Sequence, residues 1–317
     1  MKLSIVTPAY RESRNLPVMY DRLSTVCNDA GIDWEWVIID DHSPDNTFAV
    51  AHELAERDAR VRGLRLARNF GSHAAIGCGI AQTLGDAVII MAADLQDPPE
   101  TIPALVEQWS QGAQVVWAVR AKREGESAST LAFSRLYYAL MRHVIGMKDM
   151  PSAGADFFLV DRRVADAMNS FTERNVSIVA LVQWMGFRQA RIEYVKEARL
   201  HGESGWSLSK KIKLVVDSFT SFSYLPIRAM SALGVVVALL GFLYAGYILV
   251  ANLIDRAVPG YASLMVAILV LSGLQMAMLG VLGEYLWRVF DESRRRPRWL
   301  VEDAVGSLPE VKEPPAE

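Results

Sequence analysis

The sequence predicts an α/β protein, a doubly wound and mostly parallel sheet, followed by a C-terminal two-helix transmembrane hairpin. Two observations predict it. Through the first two thirds of the chain, short apolar runs bounded by turn residues alternate with segments of helical spacing. Further on, neither Ala229 to Ile254 nor Ala257 to Gly283 contains a charged residue or histidine. At 1.5 Å per residue each run reaches about 39 Å, against roughly 30 Å of hydrocarbon in a bilayer.

The elements follow in order. Strands are expected at Leu3–Thr7, Trp36–Ile39, Leu64–Leu66, Ala87–Met91 and Val115–Val119. Between them the apolar spacing is helical, as in Leu16, Met19, Leu23 and Val26. Next, Leu208, Ile212, Val215, Val216, Phe219 and Phe222 fall on one helical face and Lys210, Lys211, Lys213 and Asp217 on others, the pattern of a helix lying in the headgroup plane. The division expected is a cytosolic domain over 1–206, an amphipathic interfacial helix over 207–228, spans over 229–254 and 257–283, and a basic, disordered tail over 284–317.

Charge and cysteine usage narrow the setting. A net charge of −3 and a pI near 6.0 do not suit a nucleic-acid partner, whose phosphates demand a basic surface. The spans exclude a fully soluble enzyme, and their number excludes a many-pass carrier. Cys27 and Cys78 lie outside any CxxC pair and are expected to be reduced thiols on helix faces. The opening residues run straight into an apolar strand, so no signal peptide is expected. Lys210, Lys211, Lys213 and Arg228 precede the first span, Arg288, Arg294, Arg295, Arg296 and Arg298 follow the second, and the intervening loop holds only Asp255 and Arg256. By the positive-inside rule both ends are cytoplasmic.

In a doubly wound sheet the carboxyl ends of the strands line the ligand crevice. There the sequence places Pro8-Ala9-Tyr10-Arg11-Glu12, Asp40-Asp41-His42-Ser43, Asn69-Phe70-Gly71 and Asp94-Leu95-Gln96-Asp97. Each cluster alone could be a turn or a cap. Three carboxylates converging on one crevice, Asp41, Asp94 and Asp97, are unfavourable without a cation or donor-rich ligand, and a nucleotide with a divalent metal supplies both. Gly77-Cys78-Gly79 lacks the third glycine of a dinucleotide fingerprint, and no GxxxxGK[ST] occurs.

On these residues the chain resembles the GT-A fold, family 2 glycosyltransferases, and within them the polyprenyl-phosphate branch that includes bactoprenol glucosyltransferase and dolichol-phosphate mannose synthase. Ser4–Glu12 is similar to the opening nucleotide-binding strand, and Asp41-His42-Ser43-Pro44-Asp45-Asn46-Thr47 to the D-G-S-x-D-x-T turn. Arg68-Asn69-Phe70-Gly71 and Ala93–Glu100 resemble the third and fourth loops, and Ala155–Arg163 the acceptor-side strand. Pro259–Leu264 and Gly280–Tyr285 resemble the bactoprenol branch in particular.

The resemblance implies inverting transfer of a single hexose, glucose preferred, from a UDP-sugar to undecaprenyl phosphate at the cytoplasmic face of the bacterial inner membrane, with Mg2+ or Mn2+ and a homo-oligomer such as a tetramer. Pro8, Tyr10, Glu12, Asp41, Ser43, Asn69, Gly71 and Asp94 would bind the nucleotide, and Asp94 and Gln96 the metal. Asp94 and Asp156 would be catalytic, and Asp97, Arg120, Arg123, Arg199, Ser204 and Lys210 would serve the sugar and acceptor phosphate. Three positions depart from the family pattern: Ala92 for the first Asp of D-A-D-L-Q-D, His42 for Gly in D-G-S, and Gly205 for a basic residue after G-x-S. Two other classes stay open. A processive polysaccharide synthase is disfavoured by the lack of a Q-x-x-R-W motif, and a non-catalytic nucleotide- or lipid-binding partner is motivated by Ala92 and Gly205.

Overall fold

The computed structural model describes residues 1–121, 156–173, 177–197, 225–253 and 260–307. The strands are β1 (Lys2–Ala9), β2 (Asp33–Asp40), β3 (Val61–Leu66), β4 (Ala87–Ile90), β5 (Val115–Arg120), β6 (Phe158–Asp161), β7 (Gln189–Tyr194) and β8 (Val301–Val305). The helices are α1 (Asn15–Asp29), α2 (Thr47–Arg57), α3 (Ser72–Ala81), α4 (Ile102–Ser110), α5 (Arg162–Ser170), α6 (Ile178–Trp184), α7 (Leu225–Leu253) and α8 (Tyr261–Ser293). The chain forms two units, residues 1–217 with 296–317, and residues 218–295.

The first unit is one eight-stranded sheet of order β7-β5-β6-β4-β1-β2-β3-β8. The pairs β3/β2, β2/β1, β1/β4 and β5/β7 are parallel, whereas β6 runs antiparallel to β4 and β5, and β8 to β3. All strands except β6 and β8 therefore end on the same side. Strand order reverses between β1 and β4, the switch point at which such sheets open a crevice.

Alternation along the strands builds two cores. Ile5, Trp36, Ile38 and Ile89 face one layer with Leu16, Met19, Leu23 and Cys27 of α1 and Leu105 of α4. Their neighbours Val6, Val37, Ile39, Val88 and Ile90 face the other with Cys78 of α3, Val164 of α5 and Trp299. Burial on both faces explains why these strands read as continuous apolar runs. Cys27 and Cys78 are free and buried, as expected, and burial pushes both thiols up to about 12.

Gly77 and Gly79 serve packing. A Cβ on Gly79 would collide with the Val6 side chain, and one on Gly77 would lie 3.2 Å from the Trp299 ring. Gly79 lets α3 approach β1 closely and Gly77 makes room for the Trp299 ring, which explains a glycine pair without a nucleotide fingerprint.

Three expectations need correction. Residues 284–293 continue α8 rather than opening a tail, because Leu286, Trp287, Val289 and Phe290 keep the helix apolar among its charges. Residues 301–305 are strand β8, not a disordered segment, anchored by the buried Trp299 and by the Ala67 N–H donating to the Leu300 carbonyl at 2.9 Å. β7 was not expected at all, since Arg191 and Glu193 interrupt its apolar pattern at an edge of the sheet. Of the interfacial helix expected over 207–228, residues 207–224 lie outside the described residues, and 225–228 are instead the first turn of α7.

The second unit holds two helices long and apolar enough to cross a membrane, with the apolar windows Ile227–Tyr244 and Val270–Ser293. Gly234 of α7 lets the tip of Met278 approach from α8, 3.1 Å from where a Cβ would stand.

Candidate active site

The loops after β1, β2, β3 and β4 lie at the carboxyl ends of parallel strands, and the first three hold one another through hydrogen bonds. The Arg11 N–H donates to Ser43 Oγ at 3.0 Å, and the Glu12 N–H to Thr47 Oγ1 at 2.9 Å. Ser43 N–H donates to Asp40 Oδ1 at 3.0 Å, and Ser13 Oγ to Asp45 at 2.8 Å. Asp41 joins the second loop to the third, accepting from the Phe70 N–H at 2.7 Å and the Gly71 N–H at 2.9 Å. Burial raises the Asp41 carboxyl, and the two N–H groups oppose the shift.

Backbone conformation is unusual at the same places. Arg11, His42 and Leu95, none of them glycine, have φ of 63°, 57° and 58°. Each follows a strand of the sheet centre, and such residues persist where the surroundings over-determine them. His42 thus uses the left-handed region in place of the glycine of the related turn. Its Nδ1 lies 3.0 Å from the Leu66 carbonyl oxygen.

The expected nucleotide residues divide into two groups. Tyr10 and Asn69 are exposed at the loop ends, and Pro8 and Gly71 are partly buried. Glu12 and Ser43 hydrogen-bond within and between the loops. The Glu12 carbonyl accepts from the N–H groups of Asn15 and Leu16 at the start of α1, and its carboxylate accepts from Asn15 Nδ2 at 2.6 Å.

A second cluster forms where β4, β5 and β7 end. Asp97 is 2% exposed and accepts from the Tyr194 hydroxyl, while the Lys196 ammonium stands 3.8 Å away. Arg120, at the end of β5, lies 3.9 Å from the exposed carboxylate of Asp156. Burial pushes the Asp97 carboxyl up; Lys196 and Tyr194 oppose this, and Asp94 and Asp156 add to it. The loop is pinned further by the Glu197 N–H donating to the Gln96 carbonyl at 2.9 Å. Sequence reasoning missed Tyr194 and Lys196 because it missed β7. Arg123, Arg199, Ser204 and Lys210 lie outside the described residues.

Asp94 is nearly buried, and its Oδ1 accepts from the Gln96 N–H at 3.2 Å. Among the described residues no group of three or more acidic, histidine or cysteine side chains could hold a metal. Ala92 removes the carboxylate that would be nearest in sequence. The donors present, one carboxylate and the Gln96 amide, are hard oxygens that fit a divalent cation completing its shell with diphosphate and water.

The sequence pattern of glycosyl transferase family 2 matches residues 4–168, and that of the GtrB C-terminal hairpin matches residues 225–289. The chain belongs to glycosyl transferase family 2. It is a glycosyltransferase of GT-A fold. It is 34% identical over 302 residues to the prophage bactoprenol glucosyl transferase homolog of Escherichia coli, covering 95% of this chain and 98% of that one. To the undecaprenyl-phosphate 4-deoxy-4-formamido-L-arabinose transferase of Pseudomonas aeruginosa it is 36% identical over 311 residues, covering 97% and 91%. The crystal structure of glucosyl-3-phosphoglycerate synthase from Mycobacterium tuberculosis, in complex with Mn2+, UDP-glucose and phosphoglyceric acid, shares the fold. Its TM-score is 0.53 at 18% identity, covering 69% of this chain and 79% of that one.

Proposed function

We propose that this family 2 glycosyltransferase moves one hexose, glucose first among the candidates, from a UDP-sugar to undecaprenyl phosphate at the cytoplasmic face of the bacterial inner membrane. The observation that carries the reading is the match, over nearly the whole chain and through the hairpin, to enzymes named for bactoprenol and undecaprenyl phosphate. Topology supports the placement. Strand β8, after the second helix, pairs with β3, ahead of the first, which supports a hairpin that returns to the side it left. The flanking Lys and Arg make that side cytoplasmic.

The acceptor's chemistry does not strictly need a general base. A phosphomonoester has a second pKa near 6 and is already a dianion at neutral pH. Its oxygen attacks the anomeric carbon opposite the diphosphate, the new oxygen–carbon bond forms as the bond to the diphosphate breaks, and UDP leaves with inversion. The chain's task is then to manage charge. Tyr10, Asn69 and Gly71 border the nucleotide, with Asp41 holding the loop that carries the last two. Arg120 and Lys196 bring positive charge to the acceptor end among three carboxylates, and Asp156 orients the sugar or acceptor. A divalent cation on Asp94 and Gln96, Mg2+ or Mn2+, would supply Lewis-acid stabilisation of the leaving diphosphate.

UDP release tests the donor–acceptor pairing. Purified protein should release UDP from a UDP-hexose rapidly only when undecaprenyl phosphate is added. Equal release without the lipid would mark the reaction as hydrolysis and contradict the reading.

A further inference from the structure

Strand β8 follows the hairpin in sequence and pairs with β3, the strand beside β2. On it, the Glu302 carboxylate lies 3.1 Å from Arg65 Nε and 3.3 Å from His42 Nδ1. Arg65 carries the contact inward. One terminal nitrogen is 3.4 Å from the fully buried Asp40 carboxylate, and the other donates to the Ser43 carbonyl at 3.4 Å. Ser43 Oγ in turn accepts from the Arg11 N–H, so an unbroken series of polar contacts runs from β8 to the first loop. Both residues flanked by this series in the β2 loop need support. His42 sits in the left-handed region, and Asp41 beside it spans the second and third loops.

We propose that Glu302 is a positioning residue of the donor site: through Arg65 and His42 it fixes the Asp40–Ser43 loop in the form that receives a nucleoside diphosphate. The inference rests on the donor-site reading above, since the loop it positions carries Asp41, which holds the Asn69–Gly71 loop at the nucleotide. An isolated exposed ion pair contributes little, but Arg65 also serves a buried carboxylate and a backbone carbonyl, which makes the three groups a network. Only the planar fork of arginine reaches all three oxygens; the single ammonium of lysine cannot.

The test is calorimetric titration of UDP into the full-length protein in detergent. Glu302→Gln should weaken binding roughly two- to fivefold, with the KM for undecaprenyl phosphate unchanged. Arg65→Lys should weaken it further, and Glu302→Gln added to Arg65→Lys should cost less than Glu302→Gln alone, because only its His42 contact is then left to lose. Asp303→Asn, on the same strand but accepting from the Ala304 N–H, should leave UDP affinity unchanged. Unaltered affinity in Glu302→Gln, additive losses in the pair, or an equal loss in Asp303→Asn would each overturn the proposal. If the unsubstituted protein fails to bind UDP, the donor-site reading itself is overturned, an outcome distinct from the other three.

Discussion

Tyr194 donates its hydroxyl hydrogen to Asp97, joining the last residue of β7 to the loop after β4. That contact gives a buried carboxylate one of its few compensations, beside Lys196 at 3.8 Å. Tyr194→Phe leaves the carboxylate a donor short, a loss of about 1–3 kcal/mol. The expected result is a lower Tm in thermal unfolding of the detergent-solubilised protein.

The same pair sets a pH dependence. The Asp97 carboxyl is raised by burial above its ordinary value, so ionisation costs the folded state more than the unfolded one. Stability from neutral Asp97 is fully present below the ordinary value of about 4 and is lost as pH rises through the raised one. Asp97→Asn removes this dependence. Unfolding scans from pH 4 to 7 should therefore show the wild type losing Tm relative to Asp97→Asn as pH rises.

Much of this arrangement was legible in the sequence, and what was not has physical causes. β1 to β5 announce themselves because both their faces are buried, and Asp41, Asp94 and Asp97 stand where strand order places them. β7 and β8 lie at the two edges of the sheet, where Arg191, Glu193, Glu302 and Asp303 replace the apolar alternation. Tyr194, Lys196 and Glu302 meet residues about a hundred or more positions away, a proximity that only pairing of these edge strands creates. Ser43 and Glu12 carry family-like motifs, yet their hydrogen bonds build loops, and a motif does not separate contact with ligand from support of the loop.

Asp94 is the carboxylate left in the metal motif. Asp94→Ala should lower transfer by roughly a hundredfold or more, and the residual rate should no longer respond to Mn2+, Mg2+ or a chelator. Full turnover of this variant with chelator present would remove the metal role from Asp94.

Asp41→Asn probes the junction of the second and third loops. An amide keeps one acceptor but turns two donors toward a pair of N–H groups, so one backbone donor loses its partner, at about 1–3 kcal/mol. UDP binding measured by calorimetry should weaken accordingly. An unchanged dissociation constant would return Asp41 to a turn-forming role.

Assembly is predicted from the second long apolar helix, α8. Among the described residues, a Cβ added at Gly273, Gly280 or Gly283 would meet no atom within 4 Å, so there these glycines do not pack the hairpin on itself. Small residues on a lipid-facing helix allow close approach by a neighbour, and Gln275 supplies a polar group in search of a partner. Native mass spectrometry in mild detergent should show a homo-oligomer, and Gly280→Leu with Gly283→Leu should shift it to smaller species. Monomer alone across several detergents, with full activity retained, would contradict this.

The identity of the lipid product tests the central claim most directly. Purified protein incubated with undecaprenyl phosphate and a panel of UDP-sugars should yield one new lipid, heavier than the acceptor by a single hexose residue, with UDP-glucose the favoured donor. A ladder of longer products would indicate a processive synthase, and unchanged undecaprenyl phosphate with every donor would contradict the assignment of a polyprenyl-phosphate acceptor.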